Sequence, residues 1–118
     1  MADAGLFIGW GEVVRGREDR ALEVFNETLE FYGQLQADGR IEDFEVALLD
    51  PHGGELQGYV MLRGSEEQID SVRRGEDFIG LMTKASLIVD DLGIIGASIG
   101  ESLGRAISIY QEQLAVAH

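Results

Sequence analysis

Apolar and polar residues alternate along the chain with two different periods. Leu6 to Val14 reads as a strand. Leu6, Ile8 and Trp10 fall on one side of it; Phe7, Gly9, Gly11 and Val13 fall on the other. From Arg17 to about Asp38 the period becomes helical, with Leu22, Phe25, Leu29 and Tyr32 spaced three, four and three. Gly39 is the expected stop. Glu42 to Asp50 is a second strand, with Phe44, Val46 and Leu48 on one face and Glu45, Ala47 and Leu49 on the other. Asp50-Pro51-His52-Gly53-Gly54 is a turn signal, and Leu56 to Arg63 a third strand. The two strands should form a hairpin with a loop of about five residues.

Ser65-Glu66-Glu67-Gln68 has the capping-box form that opens a helix. Ile69, Val72, Phe78, Leu81, Met82 and Ala85 continue its apolar stripe, with a break expected at Arg74-Gly75. Leu87 to Ala97 is a fourth strand, with Asp90-Asp91 near its start. Glu101 to Ala117 is a closing helix whose seam is Leu103, Ile107, Tyr110 and Leu114.

The order β-α-β-β-α-β plus a terminal helix predicts an α+β, ferredoxin-like fold with a four-stranded antiparallel sheet. All of residues 1–118 fit one domain. Helices cover only one face of such a sheet, yet the strands are apolar on both. Leu56, Val60 and Leu62 oppose Tyr59 and Met61, and Ala47 and Leu49 lie behind Val46 and Leu48. Leaving several hundred Å² of apolar surface wet is costly at about 25 cal/mol per Å². A homodimer through the open sheet face is therefore expected.

This two-sided α+β pattern resembles the dimeric α+β barrel superfamily. The turn Asp50-Pro51-His52-Gly53-Gly54, followed by Leu56-Gln57-Gly58-Tyr59 and a capped helix, is similar to the YCII-related branch. That branch is linked with a His-Asp pair, and the resemblance places its counterparts at His52 and Asp50. The superfamily includes cofactor-free monooxygenases, isomerases of small ring compounds, haem-handling proteins and many members of unknown function. Fold-level likeness does not choose among them.

Charge narrows the partners. The net charge is −13, so nucleic acid and anionic membrane surfaces are repelled. No segment reaches the roughly 18 apolar residues of a membrane span. The start, Met1-Ala2-Asp3-Ala4-Gly5, lacks the basic run of a signal peptide, so a complete cytoplasmic chain is expected. There is no cysteine, which removes disulfides and thiolate metal sites. With two histidines, one of them the terminal His118, neither a metal nor another cofactor is expected.

Four groups carry candidate chemistry. His52 is a candidate acid or base, the role a histidine side chain can serve; otherwise it is a solvent-exposed turn residue. Asp50 either pairs with it or organises the turn. Asp90 and Asp91, if on a strand, face opposite sides, and Asp91 is the catalytic candidate of the two against a solvated strand end. Trp10, with Arg15 and Arg17 just beyond, offers an aromatic wall and cations for a flat anionic ligand; otherwise it is core. Tyr59 lines the same cavity or the dimer interface. Two function classes follow. One is a dimeric domain that binds a small molecule or a partner protein; the other is a cofactor-independent enzyme, monooxygenase- or isomerase-like, acting on a small metabolite.

Overall fold

The computed structural model describes residues 2–117. Eight elements follow in order: β1 (Ala4–Trp10), α1 (Glu18–Ala37), β2 (Asp43–Leu48), β3 (Gly58–Gly64), α2 (Glu66–Arg74), α3 (Glu76–Ser86), β4 (Gly93–Ser98) and α4 (Gly100–Ala117). The sheet order is β2-β3-β1-β4, and every neighbouring pair is antiparallel. This is the ferredoxin-like α+β arrangement that the element order predicts.

The two helix signals between β3 and β4 are realised locally. Ser65 N–H donates to Gln68 Oε1 at 2.8 Å, and Gln68 N–H donates to Ser65 Oγ at 3.1 Å, closing the capping box. Gly75 separates α2 from α3 with extended backbone angles, φ −68 and ψ 137, so the expected break is a complete one.

One face of the sheet carries the core. Leu6, Ile8, Val60 and Leu62 point to the helices and are at most 2% exposed. Tyr32 and Leu35 of α1, Ile69 and Val72 of α2, and Phe78, Leu81 and Met82 of α3 pack on them. The buried stripe of α1 is Ala21, Val24, Thr28, Tyr32 and Leu35. It is rotated from the expected Leu22–Phe25–Leu29–Tyr32 seam, and Leu22 is 62% exposed. Small Ala21 lets the helix approach Ile88, which packs with Val24 in a second cluster.

Several boundaries differ from the sequence pattern. β1 ends at Trp10, and Val13 pairs only through an isolated bridge to Val89. β4 begins at Gly93 rather than Leu87. Leu87 caps α3, Ile88 is buried against α1, and Asp91 takes a positive φ of 56. Asp90 and Asp91 therefore sit in a turn, and strand alternation does not apply to them. The β2–β3 connection runs from residue 49 to 57 and is longer than expected. Leu56 lies outside the pleat, so its side chain is not bound to the Val60 face; it lies over Gly9 beside Phe7.

The other sheet face has an apolar centre. Met61, Phe7 and Ile95 are aligned across β3, β1 and β4, and Tyr59 stacks on Phe7 at 5.2 Å. Gly9 is required here: a Cβ would come within 2.7 Å of the Phe7 ring and 2.9 Å of Leu56. Toward β2 the face turns polar, with Arg63 bound to Asp43 at 3.2 Å and Glu45 at 2.7 Å.

α4 buries only Ser102. An apolar helix seam can pack on its own subunit or across a two-fold axis. The first does not occur, since Leu103, Ile107, Tyr110 and Leu114 are 48%, 49%, 68% and 47% exposed. Among the described residues no helix is long and apolar enough to cross a membrane.

Candidate functional site

A cavity of about 340 Å³ opens between the sheet and helices α1 and α3. β1 brings Ile8 and Trp10 to its floor; α1 brings Val24, Thr28 and Tyr32. Met82 and Ala85 of α3, with Ile88 and Val89 beyond it, close the far side. Trp10 meets Phe25 edge-on, with ring centroids 6.0 Å apart. Volume and apolar lining match those of a small-molecule site.

The polar groups on this lining are few. Tyr32 is 1% exposed, and the sole acceptor near its Oη is the Met82 thioether, at 4.0 Å. Sulfur is a weak acceptor, so the phenol keeps most of its donor capacity for something better. Burial pushes the Tyr32 pKa well above its ordinary value, so the group is a neutral donor across physiological pH. Thr28 Oγ1 donates to the Phe25 carbonyl at 2.7 Å, which leaves its lone pairs able to accept. Glu18 lies at the mouth, where its carboxylate accepts from Gly16 N–H at 2.8 and 3.1 Å. Among the described residues, no lysine, arginine or histidine lines the cavity.

The raised Tyr32 pKa makes a testable statement about stability. The unfolded tyrosine ionises near pH 10 while the folded one resists, so this contribution is intact below pH 10 and is lost above it. In urea unfolding between neutral and alkaline pH, Tyr32→Phe should remove up to about 1.4 kcal/mol of destabilisation per pH unit above that point. Parallel pH profiles for the two proteins would contradict the assignment.

The structure separates the residues singled out from sequence. Trp10 lines the cavity, next to Tyr32 and Thr28. Arg15 and Arg17 are exposed and lie outside the lining; Arg17 serves as the N-terminal boundary of α1. Tyr59 is on the opposite face of the sheet, stacked on Phe7. His52 is exposed, and its ring is held by its own loop. Gly54 N–H donates to Nδ1 at 3.2 Å, and Nε2 lies 2.6 Å from the Leu56 carbonyl, a pattern that fits the Nε2–H tautomer. Asp50 is exposed at the start of that loop. Asp90 pairs through its backbone, its carbonyl accepting from Gly11 N–H at 2.7 Å and its N–H donating to Glu12 at 2.8 Å. Asp91 is exposed beside it. Among the described residues no group of three or more His, Cys, Asp or Glu is arranged to hold a metal ion. Sequence reasoning did not single out Thr28 and Tyr32 as site residues. Their signal was present as two polar groups four apart on the apolar stripe of one helix.

No family model matches the chain, and no curated protein is significantly similar to it in sequence. Solved structures do share its fold. A dimeric protein of unknown function and ferredoxin-like fold from Bacteroides fragilis superposes with a TM-score of 0.59 at 12% identity, covering 81% of this chain and 96% of its own. An ethyl tert-butyl ether D (EthD) family protein from Bacillus halodurans gives 0.61 at 10% identity, covering 85% and 100%. SnoaB, a cofactor-independent oxygenase from Streptomyces nogalater, gives 0.53 at 17% identity, covering 84% and 95%. At these identities the likeness shows a shared ferredoxin-like fold.

Proposed function

We propose that this chain works as a cytoplasmic homodimer, joined through the open sheet face, that binds a small, uncharged, mainly apolar molecule in the cavity of each subunit. The cavity itself carries this reading: it is walled by apolar side chains, and of its buried neutral hydroxyls Thr28 already donates to a carbonyl while Tyr32 Oη has only the weak Met82 thioether. An anionic ligand would find no cation on the lining among the described residues and would meet Glu18. Burying its charge there would cost several kcal/mol. A ring compound with one carbonyl or ether oxygen matches both the walls and the phenol. The apolar centre of the sheet supports the dimer, as does the dimeric state of the Bacteroides fragilis protein. The cytoplasmic location rests on the sequence alone.

Calorimetric titration with 1-indanone and with indane-1-carboxylate tests the ligand class. Saturable binding of the ketone should exceed that of the carboxylate by at least about 10-fold, a difference of roughly 1.4 kcal/mol. Quenching of Trp10, the single tryptophan, should saturate in parallel. Ala85→Phe, which fills the cavity, should abolish both signals. Equal or tighter binding of the carboxylate would overturn the neutral-ligand reading.

A second reading is favoured by one observation, the under-bonded phenol of Tyr32 inside the cavity. In a cofactor-independent enzyme, the function that SnoaB is described as having, such a donor would polarise a substrate carbonyl. Turnover of a bound cyclic ketone or phenol that is lost in Tyr32→Phe, with binding retained, would select this reading over simple binding.

A further inference from the structure

We propose that α4 is a dimerisation arm whose seam of Leu103, Ile107, Tyr110 and Leu114 packs on a second copy of this chain. The inference rests on the homodimer reading and adds to it a contact outside the sheet. Spacings of four, three and four are those of one side of a two-stranded helical seam. Yet all four side chains are about half exposed or more, so the fold of one copy leaves the seam uncovered.

The start of α4 is tied to its own body on a different side. Ser102 Oγ donates to Glu66 Oε1 at 3.1 Å, and Arg105 reaches the same oxygen at 2.7 Å. At about 100° per residue, the centre of the seam lies more than a quarter turn from Ser102 and Arg105. It is therefore turned away from the body that anchors the helix. An isolated helix of this length is marginal in water and gains stability mainly by burying an apolar face.

Charge points to a like partner. The whole chain carries −13, but α4 contains only Glu101, Glu112 and Arg105 as charged residues, a net −1. Two bodies repel each other; two α4 segments hardly do. The seam is flanked by Gly104, Ala106, Ser108, Gln111 and Gln113, small or uncharged groups that suit neither a polyanion nor a strongly charged protein. The three structural neighbours use 95–100% of their own length to match 81–85% of this chain, so part of this chain has no counterpart in them.

Sedimentation equilibrium of the full chain and two double variants tests the arm. The wild type should dimerise. Ile107→Glu/Leu114→Glu should raise the dimer Kd by at least about 10-fold, and Ile109→Glu/Val116→Glu, on another side of α4, should leave it within about twofold. Helicity by circular dichroism should be retained, since glutamate is a good helix former. Ile107→Ala/Leu114→Ala should weaken the dimer in the same direction without adding charge. A seam variant that dimerises as tightly as the wild type overturns the arm and leaves the sheet-face dimer standing. So does a control variant weakened to the same degree. A wild type that stays monomeric at every concentration overturns the homodimer reading itself, and the arm with it.

Discussion

Ile95→Glu is expected to convert the protein to a monomer at micromolar concentration. Ile95 is 56% exposed on the open sheet face, in the edge strand β4, opposite Phe7, with Met61 next in the row. In a single subunit the glutamate would be solvated and cost little, about 1 kcal/mol or less. In a two-fold interface it would place an unpaired charge from each subunit in an apolar contact. That costs several kcal/mol, which corresponds to a Kd raised by about 100-fold or more. Sedimentation should give a mass near the 12.9 kDa of one chain, with urea stability nearly unchanged. An undiminished dimer would remove the sheet face as the interface. The ion pairs of Arg63 with Asp43 and Glu45 lie toward the β2 edge and are half-exposed, so breaking them should matter far less.

Phe78→Ala should destabilise the subunit by about 3–5 kcal/mol, the range for emptying a large aromatic site in a core. Phe78 is 2% exposed and belongs to the cluster that joins α3 to Leu6, Leu62 and Val72. Small domains hold only about 5–15 kcal/mol in total, so the loss would remove a large share of stability. Urea unfolding measures it directly. A loss below about 1 kcal/mol would mean that the α2–α3 layer closes over the cavity or contributes little to the core. The contrast with α4 is sharp: truncation before Glu101 removes helical residues of which only Ser102 is buried, so the subunit's own stability should change little.

Element order was legible from the chain alone because it depends on local properties. Period two and period 3.6 are set within a few residues and fix the order of elements, and the Ser65–Gln68 capping box and the Arg74-Gly75 break appear in the structure where the pattern put them. The apolar character of both sheet faces was equally local, since alternate side chains along a strand must point to opposite sides. Trp10 stood out as a single aromatic on a glycine-rich strand, and it lines the cavity.

What the sequence alone did not decide depends on distances between elements. The buried face of α1 was chosen by what it meets: Ala21 and Thr28 lie inside because the sheet and Ile88 come close, while the more hydrophobic Leu22 is turned out. Residues 87–92 read as strand by composition, but β4 begins only at Gly93: Leu87 caps α3, Val89 keeps one bridge to Val13, and the chain bends at Asp90 and Asp91, the latter at positive φ. Arg15 and Arg17 neighbour Trp10 in sequence and not in space, because the loop after β1 carries them to the surface while the indole stays inward. Tyr32 joined Trp10 at the cavity only because α1 folds back across β1. Sequence determined which residues alternate, cap and turn, since those are set by neighbouring backbone. Tertiary packing alone decided which apolar groups found a partner, leaving a cavity beside Tyr32 and the α4 seam in solvent.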